Sequence, residues 1–216
     1  MEKIFQIAID GPSGAGKSTV AKIIASKLDI DYIDTGAMYR ACGLKMVRLG
    51  IPMVEDETLK KMLDSTDIDI DHGKIMLDGE DVSGLIRTQE ISKAASDCSA
   101  FKTVRVKMVE LQQAMGSRKS VIMDGRDICK VVLPNAEYKY FITATPEERA
   151  KRRFLELQEK GNSSSYEQIL KEVNERDYND SHREVDPLEC QPDAELLDTT
   201  NMSIDEVVNH IINKIK

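Results

Sequence analysis

Gly11, Gly16, Lys17 and Ser18 stand at the spacing G-x-x-x-x-G-K-S within "IAIDGPSGAGKST", residues 7–19. Glycines at such places let backbone N–H groups turn inward onto phosphate oxygens, and a helix N-terminus behind them adds partial positive charge. Lys17 is then placed to reach the β- and γ-phosphates of a nucleoside triphosphate, and Ser18 to ligate magnesium. The stretch follows an apolar run and precedes a helical pattern whose stripe is Val20, Ile23, Ile24 and Leu28. That strand–loop–helix setting is what a P-loop requires. The expected ATP-binding residues are Gly11, Pro12, Ser13, Gly14, Ala15, Gly16, Lys17, Ser18 and Thr19.

A phosphate cradle does not say where the phosphoryl group goes. A regulatory GTPase needs an N-K-x-D element to read guanine, whereas Asn213-Lys214 lies at the C-terminus with no aspartate after it. Asp81-Val82-Ser83-Gly84 fits the loose D-x-x-G pattern, but away from any apolar core strand. A water-splitting ATPase follows its strand-end aspartate with a glutamate, while the run Val121–Met123 ends in Asp124-Gly125. A kinase therefore fits better than a switch or a motor.

Arginines identify the kind of acceptor. "MDGRD" places Arg126 and Asp127 just past the carboxyl end of a strand, where open α/β sheets bind ligands. From Tyr166 to about Arg183 a helical stripe runs through Tyr166, Ile169, Leu170 and Val173, and continues as Arg176, Asp180 and Arg183. Solvated charges would lie opposite the apolar stripe, so charges that extend it imply a helix leaving the core to line a polar cleft. Arg149, Arg152 and Arg153 lie three and four positions apart on one side of another helix, ahead of the Gly/Ser-rich "EKGNSSS". Basic residues beside such a loop predict a lid that closes over phosphates. An alcohol acceptor would need a carboxylate to take its proton. A phosphate acceptor is already ionised, and its approach needs guanidiniums to relieve charge repulsion. The arginines favour a phosphate acceptor.

The elements that must position these groups are legible in outline. Apolar runs at Ile4–Ile9, Tyr32–Ile33, Val121–Met123, Tyr138–Ile142 and Ala194–Leu197 alternate with helical patterns, which predicts an α/β fold with a mainly parallel sheet. Capping boxes are expected at Thr145 with Glu148, Ser165 with Gln168, and Ser203 with Glu206. Residues 67–84 interrupt the alternation as three short strands, with turns near His72-Gly73 and Asp78-Gly79. This small antiparallel insert is either an excursion of no consequence or a flap over the second substrate.

At 216 residues the chain suits one domain with an insertion. No apolar stretch approaches the ~20 residues of a membrane helix. "MEKIFQIAIDG" carries no signal or transit pattern. Cys42, Cys98, Cys129 and Cys190 form no C-x-x-C pair, so they are expected to be buried, inert thiols in a reducing cytoplasm. The net charge of −8 argues against nucleic acid or anionic membrane as partners.

Taken together, "IDGPSGAGKST", "DTGAMYR", "LDGEDVSGLIRTQEIS", "AASDCSAF", "MDGRD" and "ERD" with the following Asp180, Arg183 and "PL" occur in the order found in bacterial-type cytidylate kinases. The chain resembles that family over essentially its whole length. The resemblance implies ATP-dependent, magnesium-assisted phosphorylation of CMP and dCMP in the cytoplasm, by a chain expected to be monomeric. It also implies a three-layer α/β/α P-loop NTPase fold in a single domain, with core 1–57, 91–148 and 182–216, a CMP-binding insert 58–90 and a helical lid 149–165. Position by position, Thr35, Arg40 and Arg126 resemble the binders of the CMP phosphate. Ser96, Arg105 and Arg183 resemble the cytosine contacts, and Arg176 and Asp180 the ribose contacts. Asp127 resembles part of the same acceptor network, and Arg153 a lid arginine reaching the transferred phosphate. Lys17, Arg126, Arg153 and Asp127 are thus the expected catalytic residues. Ser18 and Thr35 stand where glycine and serine also occur in the family, and both keep a hydroxyl. The alternatives are another nucleoside monophosphate or small-molecule kinase, or a P-loop regulator that does not turn over.

Overall fold

The computed structural model describes residues 4–71, 73–159, 161 and 163–215. Its central sheet contains β1 (Gln6–Asp10), β2 (Asp31–Asp34), a long-separated strand Val121–Gly125, and two later strands, Tyr138–Thr143 and Glu195–Asp198. Between them stand α1 (Lys17–Leu28), α2 (Thr35–Leu49), α3 (Glu57–Asp64), β3 (Ile68–Asp71), β4 (Lys74–Leu77), β5 (Glu80–Asp81), α4 (Gln89–Cys98) and α5 (Lys102–Gly116). The later strands are therefore β6 (Val121–Gly125), β7 (Tyr138–Thr143) and β8 (Glu195–Asp198), joined by α6 (Pro146–Glu159) and α7 (Tyr166–His182) and followed by α8 (Ile204–Ile215). A π-helical turn, Ile128–Val132, follows β6.

The five-stranded sheet has the order β2-β6-β1-β7-β8, and every pair is parallel. Alternation along the strands builds a layer on each face. Ala8, Val121 and Met123 point into one cluster with α2 residues Met38 and Ala41 and α5 residues Val104 and Met108. Ile7, Ile9 and Ile122 point into the other, against Val20 and Ile24 of α1 and Val207 and Ile211 of α8. The result is the expected α/β/α sandwich. Asp10 of β1 lies opposite Gly125 of β6, and Asp34 of β2 opposite Asp124. The phosphate loop, "MDGRD" and the start of α2 therefore emerge at one sheet edge.

The insert is an antiparallel sheet, β3-β4-β5. Asp78 at φ 50° and Gly79 at φ 83° supply the two positive values that a tight hairpin turn needs. Its Ile68, Ile75 and Leu77 join the α2-side core. Lys45 meets Asp78 at 2.6 Å, and Arg48 meets both Glu80 oxygens at 2.6 and 3.0 Å, so α2 carries the insert. His72, at the other expected turn, lies outside the described residues, as do Lys160 and Asn162 of the Gly/Ser-rich loop.

Several local expectations need correction. The first strand begins at Gln6, and Ile4 is exposed. The capping boxes at Ser165 and Ser203 form completely, but the one at Thr145 forms by half. Glu148 turns to Arg152 at 3.1 Å, and the Thr145 N–H is taken by Thr200 Oγ1 at 3.0 Å. Three cysteines are buried, but Cys190 is exposed. A third, small apolar cluster belongs to α6 and α7 alone: Ala150, Ile169 and Val173, covered by Phe154, Leu157, Tyr166 and Leu170.

Candidate active site

The phosphate loop is shaped by three glycines at positive φ, Gly11, Gly14 and Gly16. At Gly11, with φ 145°, a Cβ would lie 1.9 Å from the Ile142 carbonyl oxygen, so only glycine lets the loop cross β7. Pro12 and Ala15 are buried and Thr19 is exposed on the first turn of α1. Lys17 Nζ donates to the Pro12 carbonyl at 2.8 Å, curled over its own loop. Burial, with Arg126 nearby, pushes the Lys17 ammonium down to about 7. Ser18 Oγ donates to Asp124 Oδ2 at 2.9 Å, and Tyr32 OH donates to Asp124 Oδ1 at 2.7 Å. Burial and then Asp34 raise the Asp124 carboxyl.

Thr35 opens α2, and its hydroxyl donates to the Asp124 carbonyl at 2.7 Å. A Cβ on Gly125 would sit 2.8 Å from that hydroxyl and 2.7 Å from Ile128, so the close approach of α2 to β6 requires glycine there. Arg126 Nε donates to Asp180 Oδ2 at 2.7 Å. Burial works against the Arg126 charge, but Asp180, with Asp124 and Asp10, outweighs it. Arg176, one turn before Asp180 on α7, is 3.9 Å from the same oxygen. Its buried Nε has no hydrogen-bond partner among the described residues. Burial and then Arg126, joined by Arg40 and Arg153, push Arg176 down to about 10. Arg40 is lowered by burial and by Arg87, Arg126 and Arg153, against the support of Asp34. Arg153 itself is exposed and donates to Glu156 at 3.2 Å. Four arginines from α2, the β6 turn, α6 and α7 thus address one cleft, close enough to act on one another's charge.

Beside them lies a second group. Arg105, only 2% exposed, donates to Asp127 and to Asp186, the latter at 3.3 Å, and to the Ser99 carbonyl at 3.4 Å. Burial opposes its charge, but Tyr39, Asp127 and Asp186 hold it up. Arg183 caps α7 and donates to the Asp186 carbonyl at 2.6 Å, while its buried Nη2 lacks a partner among the described residues. Ser96 is half-buried on α4, one turn before the Ser99 carbonyl that Arg105 meets.

Arg149, expected beside the lid loop, is 2% exposed and points inward. It donates to Ala144 O at 2.9 Å, to Ser13 O of the phosphate loop at 3.0 Å, and to Asp177 of α7 at 2.9 Å. Arg152 also faces the body, donating to Thr199 O at 2.8 Å. Of the three, Arg153 acts electrostatically on Arg40 and Arg176. Tyr32 falls in an apolar run of the sequence, and neither Asp10 at the end of β1 nor Asp186 after α7 stands out there. No spacing pattern links these residues to their distant partners.

Ser18 and Asp124 offer two hard oxygen donors beside the loop, a fit for magnesium. Among the described residues no group of three or more His, Cys, Asp or Glu could hold a metal.

A parallel α/β sheet with a phosphate loop at its edge and an arginine-lined cleft opposite defines a P-loop phosphotransferase. A shikimate kinase from Bacteroides thetaiotaomicron superposes with a TM-score of 0.50, covering 99% of each chain at 11% identity, a likeness of fold alone. The description of the cytidylate kinase family matches residues 7–216. A cytidylate kinase of Caldicellulosiruptor saccharolyticus is 52% identical over 216 residues, covering 98% of this chain and 95% of its own. One from Clostridium botulinum strain Langeland is 49% identical and covers 98% of both. The chain belongs to the cytidylate kinase family.

Proposed function

We propose a division of labour for the transfer of the γ-phosphoryl group of ATP to the phosphate of CMP or dCMP, the activity that membership of this family gives the chain. The loop Gly11–Thr19 cradles the ATP phosphates with its inward N–H groups. Lys17 exchanges the Pro12 carbonyl for the β- and γ-phosphate oxygens. Ser18 and Asp124 would hold magnesium, which would supply positive charge to neutralise the phosphates. Thr35, Arg40 and Arg126 bind the CMP phosphate, Ser96, Arg105 and Arg183 face cytosine, and Arg176 and Asp180 face ribose. Asp127 anchors Arg105 within that network.

An oxygen of the CMP phosphate attacks the γ-phosphorus in line, the bond to the β-phosphate oxygen breaks, and ADP leaves. The attacking oxygen is already ionised, so no general base is required. Arg126, Arg40 and Arg176, with Arg153 brought in by the lid 149–165, offset the repulsion between the two anions. The insert 58–90 completes the acceptor side. Two buried cationic N–H groups, Arg176 Nε and Arg183 Nη2, carry this reading, because unmatched buried donors are costly and an acceptor-rich ligand would match them.

The described helices include none long and apolar enough to cross a membrane. Free, mostly buried thiols support a reducing, cytoplasmic setting. Coupled ADP release measured with CMP, dCMP, UMP, AMP and shikimate tests the reading. Turnover is expected with CMP and dCMP, much less with UMP, and none without an acceptor. Equal turnover of AMP, or ADP release independent of acceptor, would overturn it.

A further inference from the structure

Asp10 belongs neither to the phosphate loop nor to any step of the proposed transfer, yet it is 1% exposed at the junction of both half-sites. Its Oδ1 accepts from the Ile128 N–H and its Oδ2 from the Cys129 N–H, each at 2.8 Å. Those amides open the π-helical turn directly behind Arg126 and Asp127. The other end of Asp10 is backbone of β1, one residue before Gly11. One side chain therefore joins the strand end that launches the donor loop to the turn that presents the acceptor arginine. A carboxylate accepts both N–H groups at once, which a neutral amide of the same shape does not.

The geometry points to Asp10 as a positioning residue: by fastening the Ile128–Cys129 amides to the end of β1, it sets the separation of the donor and acceptor phosphates. This rests on the reading of Arg126 and Asp127 as acceptor-side residues. Phosphoryl transfer depends almost wholly on such placement, so a shift of the turn is felt in the chemical step rather than in binding. Burial pushes the Asp10 carboxyl up to about 6, so at pH 7 it is ionised and engages both amides.

The test is Asp10→Asn, which keeps the shape and one acceptor but sets an NH2 group against the second amide. At pH 7.5 kcat is expected to fall about 10- to 100-fold while the KM values for ATP and CMP move less than about threefold. Circular dichroism and thermal melting establish that the variant is folded. Should it not fold, Asp10→Glu retains the charge on a longer arm, and the same split of kcat from KM is expected. A folded variant with wild-type kcat, or one whose KM values rise with kcat unchanged, overturns the inference. Arg126→Ala assayed in parallel separates the two ideas. CMP turnover that survives Arg126→Ala removes the acceptor reading, whereas inactive Arg126→Ala beside fully active Asp10→Asn removes only the role of Asp10.

Discussion

Lys17 carries a charge state that depends on what fills the site. With its ammonium pushed down to about 7 by burial and Arg126, it is largely neutral in the free protein at pH 8. Polyphosphate favours the charged form, so ATP binding at pH 8 is expected to take up close to one proton. Titration calorimetry in buffers of different ionisation enthalpy reads this directly, and no uptake would contradict it. The sign for stability is the reverse of the usual lysine case. The unfolded chain holds the Lys17 proton up to about 10 while the folded chain releases it near 7, so this group makes stability rise with pH between those values. Arg105 answers to a different logic. Arg105→Met leaves Asp127 and Asp186 without their shared guanidinium, at a cost of about 3–5 kcal/mol as for other broken buried pairs. Because uracil presents an N–H where cytosine presents a lone pair, the same variant should lose CMP turnover more than UMP turnover. An unchanged CMP-to-UMP ratio would mean that Arg105 anchors the pocket without reading the base.

At the scale of elements, α6 is tied to the phosphate loop at its start and packs on α7 further along. Arg149 ties its first turn to Ser13 and to Asp177, while Arg153 one turn later donates to Glu156 of its own helix. Arg149→Met should loosen the donor loop and α7 together, raising the KM values for both ATP and CMP; an effect confined to one substrate would place Arg149 on that side only. What the sequence made legible, and what it did not, divides along the same line. The phosphate loop and the stripe of α7 follow from local period and glycine spacing, and both stand as expected, with Val173 and Asp180 buried on one face. The π-helical turn "ICKVV" carries no local signal in the sequence. It becomes a turn because Asp10, 118 residues earlier, holds its amides. Arg149 looked like a surface neighbour of Arg152 and Arg153 because its carboxylate partner stands 28 residues away. Long-range pairing of single polar side chains leaves no periodic trace.

The molecule as a whole is acidic, at −8, yet gathers Arg40, Arg126, Arg153 and Arg176 around one cleft. Repulsion from the remaining surface steers anions toward that cleft. Because the Debye length shortens from about 10 Å at 0.1 M salt to about 3 Å at 1 M, the KM for CMP should rise with ionic strength. Cytidine, which lacks the phosphate, should show far less salt dependence as a competing ligand. Parallel salt curves for the two would place the binding energy in the base instead.

The apolar cluster shared by α6 and α7 is separate from both layers of the sheet. Such a unit can open as a block at a free energy well below that of global unfolding. Heat or mild denaturant should therefore silence turnover before the sheet loses its structure. A protease should likewise nick the chain between Lys151 and Glu159 while residues 4–143 remain resistant. Saturating both substrates ought to close that early window, so that a single cooperative transition is left.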